Sequence, residues 1–503
     1  MNAPDGSRVE TRKLDHALVG GFAWTAGAKW LSQLVAWPAV LITAKLLSPG
    51  DYGLTEMAGF YFVVTNVMAE FGIGMAVLQM RELDMGVTAQ LNTIAAMSGM
   101  VAFLASIAAA PLIAAFFHAP ELRFLVIVAS FSFILTSLEA IPLGLLQRDM
   151  NYRCLSFAES IQAVVTSCIS VGCAYGGLGY WSLVFGNMFG RAANIAFVVY
   201  NRPVRFAWPH LSQVLAPLRF GMEIAVQRVV SSVNGLSDSM VIGRTLGKDP
   251  VGAYRLAANL ASTPSEKIGG LVMRVTGPLF SRVQGDRELM VRYFLIFTES
   301  LAMTTFPLLF GLAIVAPETV TLLLDEKWAV AAAPLRWLAI FMAVRTMLTL
   351  MNQLLSTLRF TRFGMWMSLL TFVLMPAAFY FASPRGVGAV ALAWLLMSPI
   401  TVVPIAWKVF RAIGCGVGSY LNALLPALVG CGAMLGTVVA LRAQWHLHGW
   451  AGLGAEVAAG GLAYCTCLWV FYRSRVMRFV RFFADLRKSR NMAASVLAPK
   501  SVE

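Results

Sequence analysis

Charge is scarce in this chain. Asp, Glu, Lys and Arg make up 13% of its 503 residues, where a soluble domain carries about 25%. Polar stretches are short except at the two ends, which leaves no room for a large soluble domain. Acids are scarcer than bases, 25 against 39, and there are five histidines. The seven cysteines nearly all lie inside apolar stretches, and none is spaced with histidine as a metal pair. They read as small core residues, with no metal and no cofactor expected. The chain has no Walker-type phosphate loop, which argues against ATP hydrolysis. No serine–histidine or paired-carboxylate constellation stands on an outside loop, so no catalytic residue is assigned and a non-enzyme is expected. Near the N-terminus no short apolar core ends in a small-residue cleavage site, and no lipidation motif is evident. The first apolar segment is therefore expected to be an uncleaved span.

What is abundant is apolar. Hydrophobic residues make up 58% of the chain and mean hydropathy is +0.71. Such a chain cannot cover itself in water, and the expected solvent is a bilayer. Runs of span length, cut at Pro, Gly and charge clusters, number about fourteen. They lie near 18–43, 54–80, 87–117, 123–146, 155–176, 179–200, 216–243, 251–280, 292–316, 330–357, 364–382, 386–407, 420–441 and 452–472. The expected fold is all-α, a polytopic membrane protein.

The basic residues sort by side. With the N-terminus inside, cytoplasmic loops and tails hold 24 Lys and Arg, and outside loops hold 7. That bias places both termini in the cytoplasm. It also removes nucleic acid as the reason for the net charge of +14, since the charge forms no single groove.

The chain repeats itself. A shift of 199 lays "LITAKLLSPGDYGLTEMAGF" (41–60) over part of "DSMVIGRTLGKDPVGAYRLAANL" (238–260). Lys45 meets Arg244, Leu47 meets Leu246, Gly53 meets Gly252, Ala58 meets Ala257, and Lys29 meets Arg228. The longest inside loop, 201–215, falls near the midpoint. Two similarly oriented six-helix lobes are expected, a parallel repeat. The division is a tail at 1–16, an N-lobe at 17–200, the joining loop at 201–215, a C-lobe at 216–410, spans 13 and 14 at 411–472, and a basic tail at 473–503. In that tail Val476, Phe479, Phe483 and Leu486 share a helical face, with Arg475, Arg478, Arg481 and Lys488 mainly elsewhere. This is the pattern of an interfacial helix on an anionic leaflet.

A charge at mid-bilayer costs about 2.5–3.5 kcal/mol, so buried charges face a cavity or a partner. Lys29 and Arg228 sit at matching depths in spans 1 and 7. In span 8, Arg255, Asn259, Ser262 and Glu266 share a face, as Glu56, Asn66 and Glu70 roughly do in span 2. A wet cavity lined by spans 1, 2, 7 and 8 is expected. Its candidate binding residues are Lys29, Arg228, Arg255, Asn259 and Asn66, with the cations suited to a phosphorylated group. The acids Glu56, Glu70, Glu223, Asp238 and Glu266 are candidate ion carriers. Local pairing is the alternative, for example Arg219 with Glu223 or Glu56 with Arg255.

"LLSPGDYGL" (46–54), "EFGIGMAVLQ" (70–79) and "DSMVIGRTLGKDPVGAYRLA" (238–257) resemble the Wzx-type oligosaccharide flippases of the MOP superfamily, in the branch that holds the colanic acid exporters. The resemblance covers roughly 15–480. It implies a bundle of twelve to fourteen helices that alternates between inward- and outward-open states. It implies a polyprenyl-pyrophosphate-linked oligosaccharide as substrate, moved across the bacterial inner membrane for exopolysaccharide or lipopolysaccharide synthesis. Membrane lipids and a polysaccharide polymerase or export machinery are the implied partners, and ion coupling is implied for the superfamily. A peptidoglycan-precursor flippase and a multidrug/cation antiporter of the same superfamily are the rivals. A polymerase or ligase fits less well, because the outside loops are short.

Overall fold

The computed structural model describes residues 32–70, 74, 77, 84–444 and 449–496. Among them helices make all the regular structure and no strand occurs. This is the expected all-α fold. A helix meets its backbone hydrogen bonds within itself, which is what a bilayer demands.

The chain forms two compact units, residues 1–252 and 253–503. The first contains α1 (Ser32–Leu46), α2 (Pro49–Glu70), α3 (Met85–Phe117), α4 (Glu121–Ala129), α5 (Phe131–Arg148), α6 (Tyr152–Tyr175), α7 (Trp181–Asn201) and α8 (Leu211–Leu246). It also takes the first turn of α9 (Lys248–Arg282). The second holds the rest of α9, then α10 (Arg287–Ile314), α11 (Ala316–Leu324), α12 (Ala332–Thr357), α13 (Thr361–Ala382), α14 (Val387–Ile413), α15 (Val417–Gln444) and α16 (Gly449–Val496). Packing thus divides the chain between Gly252 and Ala253, whereas the repeat pattern marked its join at 201–215. The difference arises because α8 packs on α2 and α3, inside the first unit.

Local chemistry explains where helices begin and end. Asp84 accepts the Gly86 N–H at the start of α3, Asn151 that of Cys154 in α6, and Asp286 that of Leu289 in α10. The expected span at 123–146 is two helices, α4 and α5. They are separated at Ser130, whose hydroxyl bonds back to the Ile127 carbonyl (2.7 Å). The α6–α7 turn uses Gly177 and Gly179 at positive φ, +75° and +54°. The long last helix is interrupted at Tyr472 (φ −129°, ψ 23°), where span 14 was expected to give way to the tail.

Ten helical stretches among the described residues are long and apolar enough to cross a membrane. They coincide with expected spans 3 to 6 and 9 to 14. The other four expected spans correspond to α1, α2, α8 and α9, the four predicted to carry polar stripes. The total of fourteen depends on counting these polar helices.

In lipid, helix association rests on close packing rather than on transfer out of water. The α6–α7 pair shows this through a small-residue pattern, Gly186 and Gly190 on α7. A Cβ on Gly186 would lie 1.8 Å from the Ser170 Oγ, and one on Gly190 would lie 1.9 Å from the Thr166 Oγ1. In the second unit Phe280, Phe294, Phe297 and Phe410 form a buried cluster, with Tyr420 stacked on Phe294 (centroids 5.9 Å apart).

Two arginines in the second unit are held by carboxylates. Arg442 binds both carboxylate oxygens of Glu456 (2.9 and 2.8 Å) and Glu318 (2.9 Å). Glu456 is 8% exposed, so Arg442→Leu would strand a buried carboxylate. The expected cost is roughly 2 kcal/mol or more, below that of a fully buried pair because solvent reaches Arg442. A lower melting temperature in detergent, with partial recovery in the Arg442→Leu/Glu456→Gln double variant, checks this. Arg475, beyond the Tyr472 break, binds Glu299 (3.3 Å) and the side chain of Asn422 (2.9 Å). That anchors the start of the tail helix to its own unit.

Candidate functional site

The repeated segments meet each other. Residues 49–53 (PGDYG) and 248–252 (KDPVG) occupy equivalent positions under the 199 shift, with Gly53 and Gly252 in common. A Cβ on Gly53 would sit 1.8 Å from the Lys248 carbonyl oxygen, and one on Gly252 would sit 1.8 Å from the Pro49 carbonyl oxygen. Lys248 is the counterpart of Pro49, so each copy presents the same glycine to the same backbone carbonyl of the other. This is a two-fold contact between like surfaces. Gly50 lies on its own counterpart, and a Cβ added to it would stand 2.6 Å from the Asp249 carboxylate. Glycine is required at 53 and 252 because backbone meets backbone there.

Polar side chains brace this seam. The Asp51 carboxylate accepts the Tyr180 N–H (2.9 Å) and the Ser48 hydroxyl (2.6 Å). Lys248 binds Glu121 (2.9 Å). Arg244 donates to the Phe116 carbonyl and meets the His118 ring at 2.9 Å. The Glu121 hydrogen bond, with Asp249 and Asp51 nearby, holds the Lys248 ammonium above the ordinary lysine range, so it is charged throughout the physiological range.

The first unit holds an open cavity of about 430 Å³ walled by α2, α4, α5, α6 and α7. Two predicted residues, Glu56 and Asn66, line it, joined by Phe62, Gln162, Asn187 and Arg191. Arg191 donates to the Thr136 hydroxyl. Gln162 accepts from Asn194 (2.9 Å). The tight α6–α7 packing sets these side chains in place, since Gly190 abuts the backbone of Gln162. The Asn66 side-chain oxygen is buried and has no hydrogen-bond partner among the described residues.

The second unit has a separate cavity of about 250 Å³ between α9, α10 and α12. Glu266, another predicted residue, lines it with Arg345, Met273 and Leu350. Ser265 and Thr346 are bonded across the same wall (2.9 Å). Of the other predicted residues, Arg255 is half-buried and Asn259 exposed on α9. Asp238 is 5% exposed and accepts the Ser239 N–H (2.7 Å). Lys29 lies outside the described residues, as do the side chains of Glu70, Glu223 and Arg228.

Sequence reasoning passed over Gln162 and Asn187 and left Arg191 unassigned. Asn187 and Arg191 are four apart on α7, the spacing of one helical face. That is the signal that would have found them.

A bundle of membrane-spanning helices holding a polar cavity of both signs, with no strand among the described residues, defines a multi-pass membrane transporter of the helical-bundle class. The family described as "Polysaccharide biosynthesis protein" matches residues 42–334, more than half of the sequence, and the chain belongs to it. It is 25% identical over 319 residues to the lipopolysaccharide biosynthesis protein WzxC of Escherichia coli (strain K12), across 62% of this chain and 64% of that one. It is 27% identical over 406 residues to the succinoglycan biosynthesis transport protein ExoT of Rhizobium meliloti (strain 1021), across 77% and 82%. With the teichuronic acid biosynthesis protein TuaB of Bacillus subtilis (strain 168) identity is 23% over 487 residues, across 92% and 98%. Among solved structures, the lipid II flippase MurJ superposes with TM-score 0.71 at 14% identity, over 90% of this chain and 99% of that one. A multidrug resistance MATE family transporter of the MOP superfamily gives 0.59 at 13%, over 76% and 95%. The structural likenesses establish the fold, and the resemblance to the MOP-superfamily polysaccharide flippases is borne out.

Proposed function

We propose that the chain flips polyprenyl-pyrophosphate-linked oligosaccharide units across the bacterial inner membrane by alternating access, making and breaking no bond. The released units pass to a polymerase and export machinery for exopolysaccharide or lipopolysaccharide synthesis. The observation that carries this reading is a polar cavity with charges of both signs inside a lipid-embedded helical bundle of the polysaccharide biosynthesis family. The headgroup cannot cross hydrocarbon alone. A wet cavity removes that barrier while the lipid tail stays in the membrane.

On this reading the membrane holds fourteen spans, with α1, α2, α8 and α9 facing polar surroundings and both termini in the cytoplasm. Lys29, Arg228 and Arg255 hold the pyrophosphate, while Asn66 and Asn259 add hydrogen bonds elsewhere on the substrate. Glu56, Glu70, Glu223, Asp238 and Glu266 supply the sites for a coupling ion. The tail helix beyond Tyr472 lies along the inner leaflet. An antiporter for cationic drugs fits less well, because Arg191 stands in the wall of the cavity.

Purified protein in proteoliposomes is expected to bring an undecaprenyl-pyrophosphate-linked oligosaccharide from the inner leaflet within reach of an external lectin. The rate should be at least tenfold that of empty liposomes. Equal rates would refute transport, and appearance of longer polymer would show an enzyme instead.

A further inference from the structure

Asn66 lines the first unit's cavity, and its side-chain oxygen has no partner among the described residues. A buried acceptor left unpaired costs about 1–3 kcal/mol, and native structures keep few of them. The same cavity is lined by Gln162, Asn187, Arg191, Glu56 and Phe62. Amide, guanidinium and carboxylate groups are planar and forked. Each engages two neighbouring hydroxyls at once, and together they offer both donors and acceptors. A pyranose ring presents that alternation around its rim and an apolar C–H face, which Phe62 is suited to cover. The charges also discriminate. Glu56 opposes a bare phosphate and Arg191 opposes a cation, whereas a neutral polyol meets both without repulsion. The cavity's size, about 430 Å³, lies in the usual range of about 300–1,000 Å³ for small-molecule sites.

We propose that this cavity in the first unit is a saccharide subsite, taking a hexopyranose ring of the lipid-linked substrate with the Asn66 oxygen accepting from a ring hydroxyl. The assignment rests on the flippase reading and adds to it a place where sugar identity is sensed, apart from the cations assigned to the pyrophosphate. Binding here is a set of hydrogen bonds and one stacking contact, with no covalent step.

The test uses the full-length protein in nanodiscs and two probes. One is the lipid-linked repeat units extracted from cells that carry this protein. The other is sugar-free undecaprenyl pyrophosphate. Native mass spectrometry reads the affinity for each, and lectin capture in proteoliposomes reads transfer of the first. Asn66→Leu and Asn187→Leu are expected to lower the ratio of glycosylated to sugar-free lipid bound by tenfold or more, with transfer falling in step. Asn66→Leu is also expected to melt no lower than wild type, because it removes an unpaired buried acceptor. Should a leucine variant fail to reach the membrane, Gln162→Glu keeps the volume and is expected to shift the same ratio. An unchanged ratio in the variants overturns the subsite, whether both affinities hold or both fall together. A wild-type protein that moves no glycosylated lipid overturns the flippase reading itself and the subsite with it.

Discussion

Gly53→Ala is expected to lower the stability of the folded protein by about 3 kcal/mol or more, toward the upper end of overpacking costs. Its Cβ would stand 1.8 Å from the Lys248 carbonyl oxygen, where real Cβ contacts begin above 3 Å. Neither side can yield by rotating a side chain, because one partner is backbone. The segments must separate by more than an ångström, loosening the Asp51 and Lys248 contacts that brace them. Alanine's better helix propensity returns only about 1 kcal/mol, so the clash wins. Gly252→Ala meets the Pro49 carbonyl at the same distance and is expected to cost a similar amount. The double variant is the sharper measurement. One separation relieves both clashes, so the combined cost should fall well short of the sum, with coupling of about 1–3 kcal/mol. Gly270→Ala, with nothing within 4 Å of its added Cβ, serves as the control and should match or exceed wild type. Thermal melts of purified protein decide the matter. Wild-type melting of Gly53→Ala would rule out the seam, and strict additivity would rule out its two-fold character.

Arg228→Ala and Lys29→Ala are each expected to depress export of surface polysaccharide by about ten- to a hundredfold. A hydrogen bond to a charged group contributes about 1.5–3 kcal/mol, and each 1.4 kcal/mol is a factor of ten. Arg228→Lys should retain part of the activity, since it keeps the charge but loses the fork that grips two phosphate oxygens. Lys29→Arg should be milder still. Membrane fractions probed for the protein separate loss of function from loss of insertion. Wild-type polymer yield in both alanine variants, at wild-type protein levels, would remove these residues from the pyrophosphate role.

Much of the fold was readable along the chain. Apolar runs of bilayer length were enough to place most helices, and the four runs carrying Lys29, Glu56, Arg228 and Glu266 stood apart by their polar stripes. The change to a basic, one-sided pattern after residue 472 coincides with the interruption at Tyr472. The repeat was also legible, including the equivalence of Gly53 with Gly252. Their contact was not, because a sequence shift says that two segments are alike and does not say that they touch. Arg244 and Lys248 counted only as outside charges, whereas folding ties them to Phe116, His118 and Glu121. A single polar residue in an apolar helix, such as Gln162, carried no distinguishing pattern until five helices placed it on one cavity wall.

The amino-acid sequence by itself determined that this protein lives in a bilayer, that it is helical, and that it repeats a motif around paired glycines. These follow from composition, period and spacing, which act over one or two helical turns. Tertiary structure alone decided that the repeats pack on each other, that α8 belongs with α2 and α3, and that Asn66 shares a cavity with Arg191. Such outcomes depend on which helix faces meet, and in lipid that is settled by close packing between residues more than a hundred positions apart.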